Sequence, residues 1–186
     1  ASGTTTAIIS TGGVEPNGPW LATGKHNFVL RANCERIARR LGDALCAPVI
    51  ELVPEGQTDP PTGHMRSPGT LSLQQGTFEA LLTDVAHSLK MHGFTNIVLI
   101  GDSGGNQSGM ANVATALSER WEGEVRVVHV PEYYRAPDAR DVLGELGVTT
   151  DAQPSDGLHD NPTITLNMML DDPESVRWSA RVTARQ

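Results

Sequence analysis

Short apolar segments alternate with stretches of helical periodicity along most of this chain, and that alternation constrains the fold more than any other feature. Residues 6–10 (TAIIS), Val49–Val53, Asn96–Gly101 and Val125–Val130 each read as a buried strand. Between the first two, residues 27–45 set Leu30, Cys34, Ile37, Ala38, Leu41 and Leu45 at helical spacing. Residues 73–92 do the same with Phe78, Leu81, Leu82, Val85 and Leu89, and Gly93 is a fitting stop. Residues 106–121 carry Met110, Val113, Ala114, Leu117 and Trp121, and further helices are expected near 137–146 and 163–170. Strands alternating with one-faced helices predict a single α/β domain over residues 1–186. Its form is a three-layer α/β/α sandwich on a mainly parallel, four-stranded sheet.

A length of 186 residues suffices for a real core, which 38% apolar but only 4% aromatic content makes an aliphatic one. The net charge of −8 argues against nucleic acid or an anionic membrane as partner. The longest strongly apolar run, around Ile97–Ile100, is far too short to span a bilayer. There is no charged-then-apolar signal segment. With no membrane-spanning run a soluble protein is expected, cytoplasmic or, since the chain opens at Ala1 without methionine, exported if a leader was removed. Cys34 lies inside a helical pattern and Cys46 near its end, where a bridge is geometrically implausible. Two buried free thiols are therefore expected.

In an open parallel sheet, chemistry gathers beyond the carboxyl ends of the strands. Three turns fall there, Gly12–His26, Glu55–Thr70 and Gly101–Asn106, with a fourth group from Tyr133 to His159. The run Gly101-Asp102-Ser103-Gly104-Gly105 has the letters that surround a trypsin-like nucleophile. Those proteases are all-β and disulfide-rich, whereas this serine sits between a strand and a helix. The run also satisfies Gly-x-Ser-x-Gly, whose required context is that strand–turn–helix.

These turns resemble the creatininase (creatinine amidohydrolase) family. Its Gly-x-x-Glu-x-His-Gly-Pro-His-Leu-Pro pattern is similar to Gly12-Gly13-Val14-Glu15-Pro16-Asn17-Gly18-Pro19-Trp20-Leu21, with His26 at the spacing of a family aspartate. The family's His-x-x-Phe-Pro-Gly-Thr resembles His64-Met65-Arg66-Ser67-Pro68-Gly69-Thr70, and its Asn-Gly-His-Gly-Gly-Asn resembles Gly101 to Asn106. A late family segment looks similar to His159-Asp160-Asn161-Pro162-Thr163-Ile164-Thr165-Leu166. The resemblance implies an oligomeric hydrolase that cleaves cyclic or linear amide C–N bonds with a metal-activated water. The family uses two divalent metals, and the departures fall on their ligands. Glu15 is kept, but Asn17, His26 and Ser103 stand at a ligand histidine, the bridging aspartate and the glycine-turn histidine, and Pro162 and Ile164 at late glutamates. One imidazole cannot replace a bridging carboxylate, so the binuclear centre is not expected intact.

Three readings follow. In the first, a rebuilt mononuclear site draws on Glu15, His26, His159 and Asp102, a mixed N/O set that suits zinc, manganese or iron. In the second, Ser103 is a nucleophile, with His159 or His26 as base, Asp156, Asp160 or Glu15 orienting the imidazole, and the Gly104 and Gly105 amides near an oxyanion. In the third, the chain only binds a small molecule or anion on the glycine turn.

The first is preferred, with Ser103, His159 and Asp102 in catalysis and a small-molecule amide as partner. Asn17, Trp20, His64, Gly104, Gly105, Asn106 and Tyr133 are expected to meet substrate, although Trp20 and Tyr133 serve equally as rim packing. His87, His92 and His129 read as structural, and Lys25 as solvated.

Overall fold

The computed structural model of the protein describes residues 3–135, 145 and 162–181. Four strands form one all-parallel sheet in the order β2-β1-β3-β4: β1 (Thr6–Thr11), β2 (Ala44–Cys46), β3 (Asn96–Gly101) and β4 (Arg126–His129). The central pair, β1 and β3, are in register from Thr6↔Asn96 to Thr11↔Gly101. Successive side chains of these strands point to opposite faces, so both faces must be covered. Helix α1 (Lys25–Leu41) packs Leu30, Cys34 and Ala38 against Ile8 and Ile100 on one face. Helices α2 (Gln75–Met91) and α3 (Gln107–Arg120) bring Phe78, Leu82, Met110, Val113 and Leu117 onto Ile9, Ile97 and Leu99 on the other. Each such fully buried aliphatic side chain contributes about 1.5–3 kcal/mol. The α/β/α sandwich read from the alternation is the one observed.

Beyond β4, a short α4 (Pro131–Tyr134) carries the two tyrosines, and α5 (Pro162–Asp171) packs on α1. Met168 of α5 closes a third cluster with Trp20, Leu21, Val29 and Val176. The expected helix near 137–146 falls almost wholly outside the described residues, and Asp156, His159 and Asp160 fall outside them too. Among the described residues, no helix is long and apolar enough to cross a membrane.

The second strand departs from the expected Val49–Val53. Helix α1 stops at Leu41 because Gly42 turns into the left-handed region (φ 82°) and returns its N–H to Ala38 O. Strand β2 follows at once, so Leu45 lies on an exposed edge strand and not on a helix. The pairing continues through Ala47 N to Ile8 O and Ile50 N to Ser10 O, with one bridge at Thr11↔Ile50. Because the chain reverses at Gly42, Cys46 comes back against α1. It forms a disulfide with Cys34, Cα to Cα 6.1 Å. The expectation of two free thiols is thus corrected: the cysteines lie on two elements, not one helix.

Candidate active site

The site lies at the carboxyl edge of the sheet, where β1 and β3 end side by side. Past β1 the chain reaches Glu15, whose carbonyl accepts Gly24 N–H at 3.1 Å, closing the segment onto the start of α1. The first turn of α1 therefore delivers Lys25 and His26 directly to Glu15. Lys25 Nζ lies 2.8 Å from Glu15 Oε1, with both side chains 2% exposed. His26 Nε2 lies 3.0 Å from the same oxygen, and its Nδ1 lies 2.8 Å from Asp102 Oδ2, past the end of β3. A Glu15–His26–Asp102 chain thus joins the ends of the two central strands. The solvated reading of Lys25 is corrected: its ammonium is buried in an ion pair.

Two further side chains arrive from the loop after Val53. Glu55 O accepts His64 N–H at 2.9 Å, and Ser72 Oγ accepts Glu55 N–H while donating to Gly56 O. Those bonds clip Glu55 and His64 together beside Glu15. His64 Nδ1 lies 3.0 Å from Glu15 Oε2. Gly13 makes room for Glu55: a Cβ there would lie 2.1 Å from Glu55 Oε1. Carboxylate oxygens of Glu15 and Glu55 and a ring nitrogen of His64 all fall within 4.8 Å of one another. No sequence signal singled out Glu55. A single acidic residue after a proline carries neither periodicity nor motif.

The glycine turn holds Ser103, buried, with its Oγ 3.5 Å from Glu55 Oε1 and accepting Gly105 N–H at 3.4 Å. Gly105 is needed where it is, since a Cβ would come within 2.0 Å of Pro54 O. Gly104 faces the Tyr134 hydroxyl. Asn106 is fully buried. Its Nδ2 donates to Thr11 O and Gly12 O, and its Oδ1 accepts from Gln107, so its amide braces the turn. His129 supports that brace through Gln107 Oε1, while His87 stacks edge-on against Trp121, in keeping with structural roles for both.

Other expected contacts are internal. Asn17 Nδ2 donates to Glu15 O and Ala22 O, holding the loop's shape. Trp20 is buried in the third cluster. Tyr133 accepts a hydrogen bond from Asn33 Nδ2, and burial, followed by the charge of Asp102, pushes its hydroxyl well above the usual range. Tyr133 therefore stands near Asp102, at the side of the site.

Electrostatics separates the two glutamates. Burial would raise Glu15, but the His26 hydrogen bond and the Lys25 charge outweigh it and hold its carboxyl at about 2. Glu55 has no such partner in ammonium contact. Burial, then repulsion from Glu15, raises it to about 7. Burial acts the other way on His26 and would lower it, yet its bonds to Asp102 and Glu15 prevail and the net shift is upward. Lys25 is lowered by burial and partly restored by Glu15. Two buried carboxylates facing one another beside an imidazole make a donor set that fits a divalent cation, whose charge would keep both ionised.

Comparison with known proteins agrees with this architecture. The family model described as "Creatininase: Creatinine amidohydrolase" matches residues 1–186. A crystal structure of creatinine amidohydrolase (creatininase) superposes with a TM-score of 0.72 at 22% identity, covering 94% of this chain and 68% of that one. A structure described as "Creatininase Mn" gives 0.72 at 23% identity with the same coverage, 94% and 68%. None of the curated proteins compared with the chain matches it. With the family model matching residues 1–186, the chain belongs to the creatininase family.

Proposed function

We propose that the chain is a hydrolase cleaving the C–N bond of a small cyclic or linear amide, with one divalent ion held by Glu15, Glu55 and His64. The observation that carries this reading is the convergence of those three donors within 4.8 Å at the active edge of a creatininase-family sheet. Of the ligands read from sequence, Glu15, His26, Asp102 and His159, only Glu15 stays in this set. Both ring nitrogens of His26 are already held by carboxylates, one of them that of Asp102, and His159 lies outside the described residues. Two carboxylates and one imidazole suit zinc, manganese or iron.

When bound, such an ion supplies Lewis-acid polarisation of the amide carbonyl and a more acidic water. The protein's part is orientation. Asp102 fixes the ring of His26, and His26 with Lys25 fixes the carboxylate of Glu15. Ser103 makes a long hydrogen bond to Glu55, at 3.5 Å. Tyr133, Tyr134 and Gly104 stand beside the site, where a small substrate would enter.

The Ser103–Glu55 contact also supports a second reading, in which Ser103 is the nucleophile and Glu55, in place of the expected histidine, takes its proton. Metal content by elemental mass spectrometry, together with hydrolysis of an amide, lactam and ester panel, separates the two. The expected result is about one equivalent of metal per chain, loss of hydrolysis on chelation, and only a modest cost from Ser103→Ala. Full activity after metal stripping, with labelling of Ser103 by a fluorophosphonate, would establish the second reading. A metal-free chain inert to substrate and probe alike would leave a binding protein.

A further inference from the structure

Lys25 is placed against two physical preferences at once. It occupies the first turn of α1, where the helix dipole disfavours a cation, and that turn contains no acidic residue. Its side chain is also 2% exposed, so the ammonium has left water. A chain folded for stability alone places a leucine or methionine there more easily. What holds the ammonium is Glu15 Oε1 at 2.8 Å, with the charges of Asp102 and Glu55 also acting on it.

The two oxygens of Glu15 face different neighbours. Oε1 meets Lys25 Nζ and His26 Nε2, whereas Oε2 lies 3.0 Å from His64 Nδ1, on the side of the metal donors. A carboxylate with two anionic oxygens is able to hold two cations. We propose that the Lys25 ammonium is a built-in cation occupying the second cation position on Glu15, so that the site accepts one divalent ion and excludes another. The inference rests on the metal reading above and explains why that site is mononuclear.

Charge balance points the same way. Glu15, Glu55 and Asp102 supply three carboxylates, and Lys25 with one dication balances them before His26 is counted. A second dication would bring uncompensated positive charge into a site largely screened from water. With Lys25 replaced by an uncharged side chain, Glu15 Oε1 loses its ammonium partner and is left as an anionic oxygen open to a second cation.

The test is stoichiometry, read without any substrate. Wild type, Lys25→Met and Lys25→Arg are stripped with chelator, checked for folding by circular dichroism, and titrated with Mn²⁺ by calorimetry. The expected result is one equivalent for wild type, one for Lys25→Arg, which keeps the charge, and two for Lys25→Met. Two equivalents in wild type, or one in folded Lys25→Met with unchanged affinity, overturns the proposal while leaving the metal reading intact. No Mn²⁺ binding in wild type overturns the metal reading, and this inference with it. Should Lys25→Met fail to fold, Lys25→Gln replaces it with the same criterion, and the wild-type count remains decisive.

Discussion

At the scale of single residues, the sequence separated chemistry from packing unevenly. Glu15, His26, Asp102 and Ser103 were legible because each sits in a turn whose glycines and spacing resemble a family pattern. Glu55 was not, because its role comes from proximity across the fold: Gly13, more than 40 positions earlier, leaves it space. Lys25 was misread for a related reason. A lysine opening a helix usually points to water, whereas here Gly24 bonds back to Glu15 O and the Glu15 carboxylate receives the ammonium. The dependence of Glu55 on Gly13 gives a prediction. In Gly13→Ala the new Cβ, 2.1 Å from Glu55 Oε1, must push the carboxylate aside. Gly13 also sits at φ 155°, which alanine adopts only with strain, so the expected result is a folded but less stable chain, checked by circular dichroism, whose Mn²⁺ affinity falls about tenfold, or roughly 1.4 kcal/mol. Calorimetric titration measures it, and unchanged affinity would remove Glu55 from the ligand set.

At the scale of elements, type and boundaries were readable for most of the described chain and failed in one region. Strand β3 falls where periodicity put it, at Asn96–Gly101, and α2 and α3 agree within two residues. The region 42–53 misled because apolar residues continue past Leu41, and a helical period fitted across Gly42 runs straight through a chain reversal. That single error produced the wrong second strand and the wrong state of the cysteines. The Cys34–Cys46 disulfide ties α1 to edge strand β2, across 12 positions of sequence. Closing a loop of that size in the unfolded chain is worth about 3 kcal/mol by the chain-entropy account. Cys34→Ser should therefore lower the melting temperature by roughly 6–12 °C. Cys46→Ser should match it, and the double variant should cost no more than either. Thermal unfolding followed by circular dichroism measures all three, and a melting point indifferent to both the variants and reductant would count against the link.

At the scale of the whole molecule, the alternation of strands and helices already implied a two-sided parallel sheet, and such a sheet puts its reactive turns at one edge. What it could not imply is how many charges that edge gathers. Glu15, Lys25 and Glu55 are buried, as is His26, with Asp102 and His64 partly so, which makes this edge costly to assemble. The cost falls most heavily on Glu55, whose carboxyl is driven to about 7 by burial and by Glu15. A divalent ion bound only by the folded chain should offset that cost, since ligation stabilises by mass action. At a Mn²⁺ concentration about 100 times the dissociation constant, the gain is roughly 2.7 kcal/mol. For a chain of this size that corresponds to a rise in melting temperature of roughly 5–10 °C. The rise should reverse on chelation and shrink in Glu55→Gln, which keeps the shape but gives up the anionic oxygen. Glu35→Gln, on the exposed face of α1, should retain the full shift. An equal shift in Glu55→Gln would place the ion elsewhere on the protein.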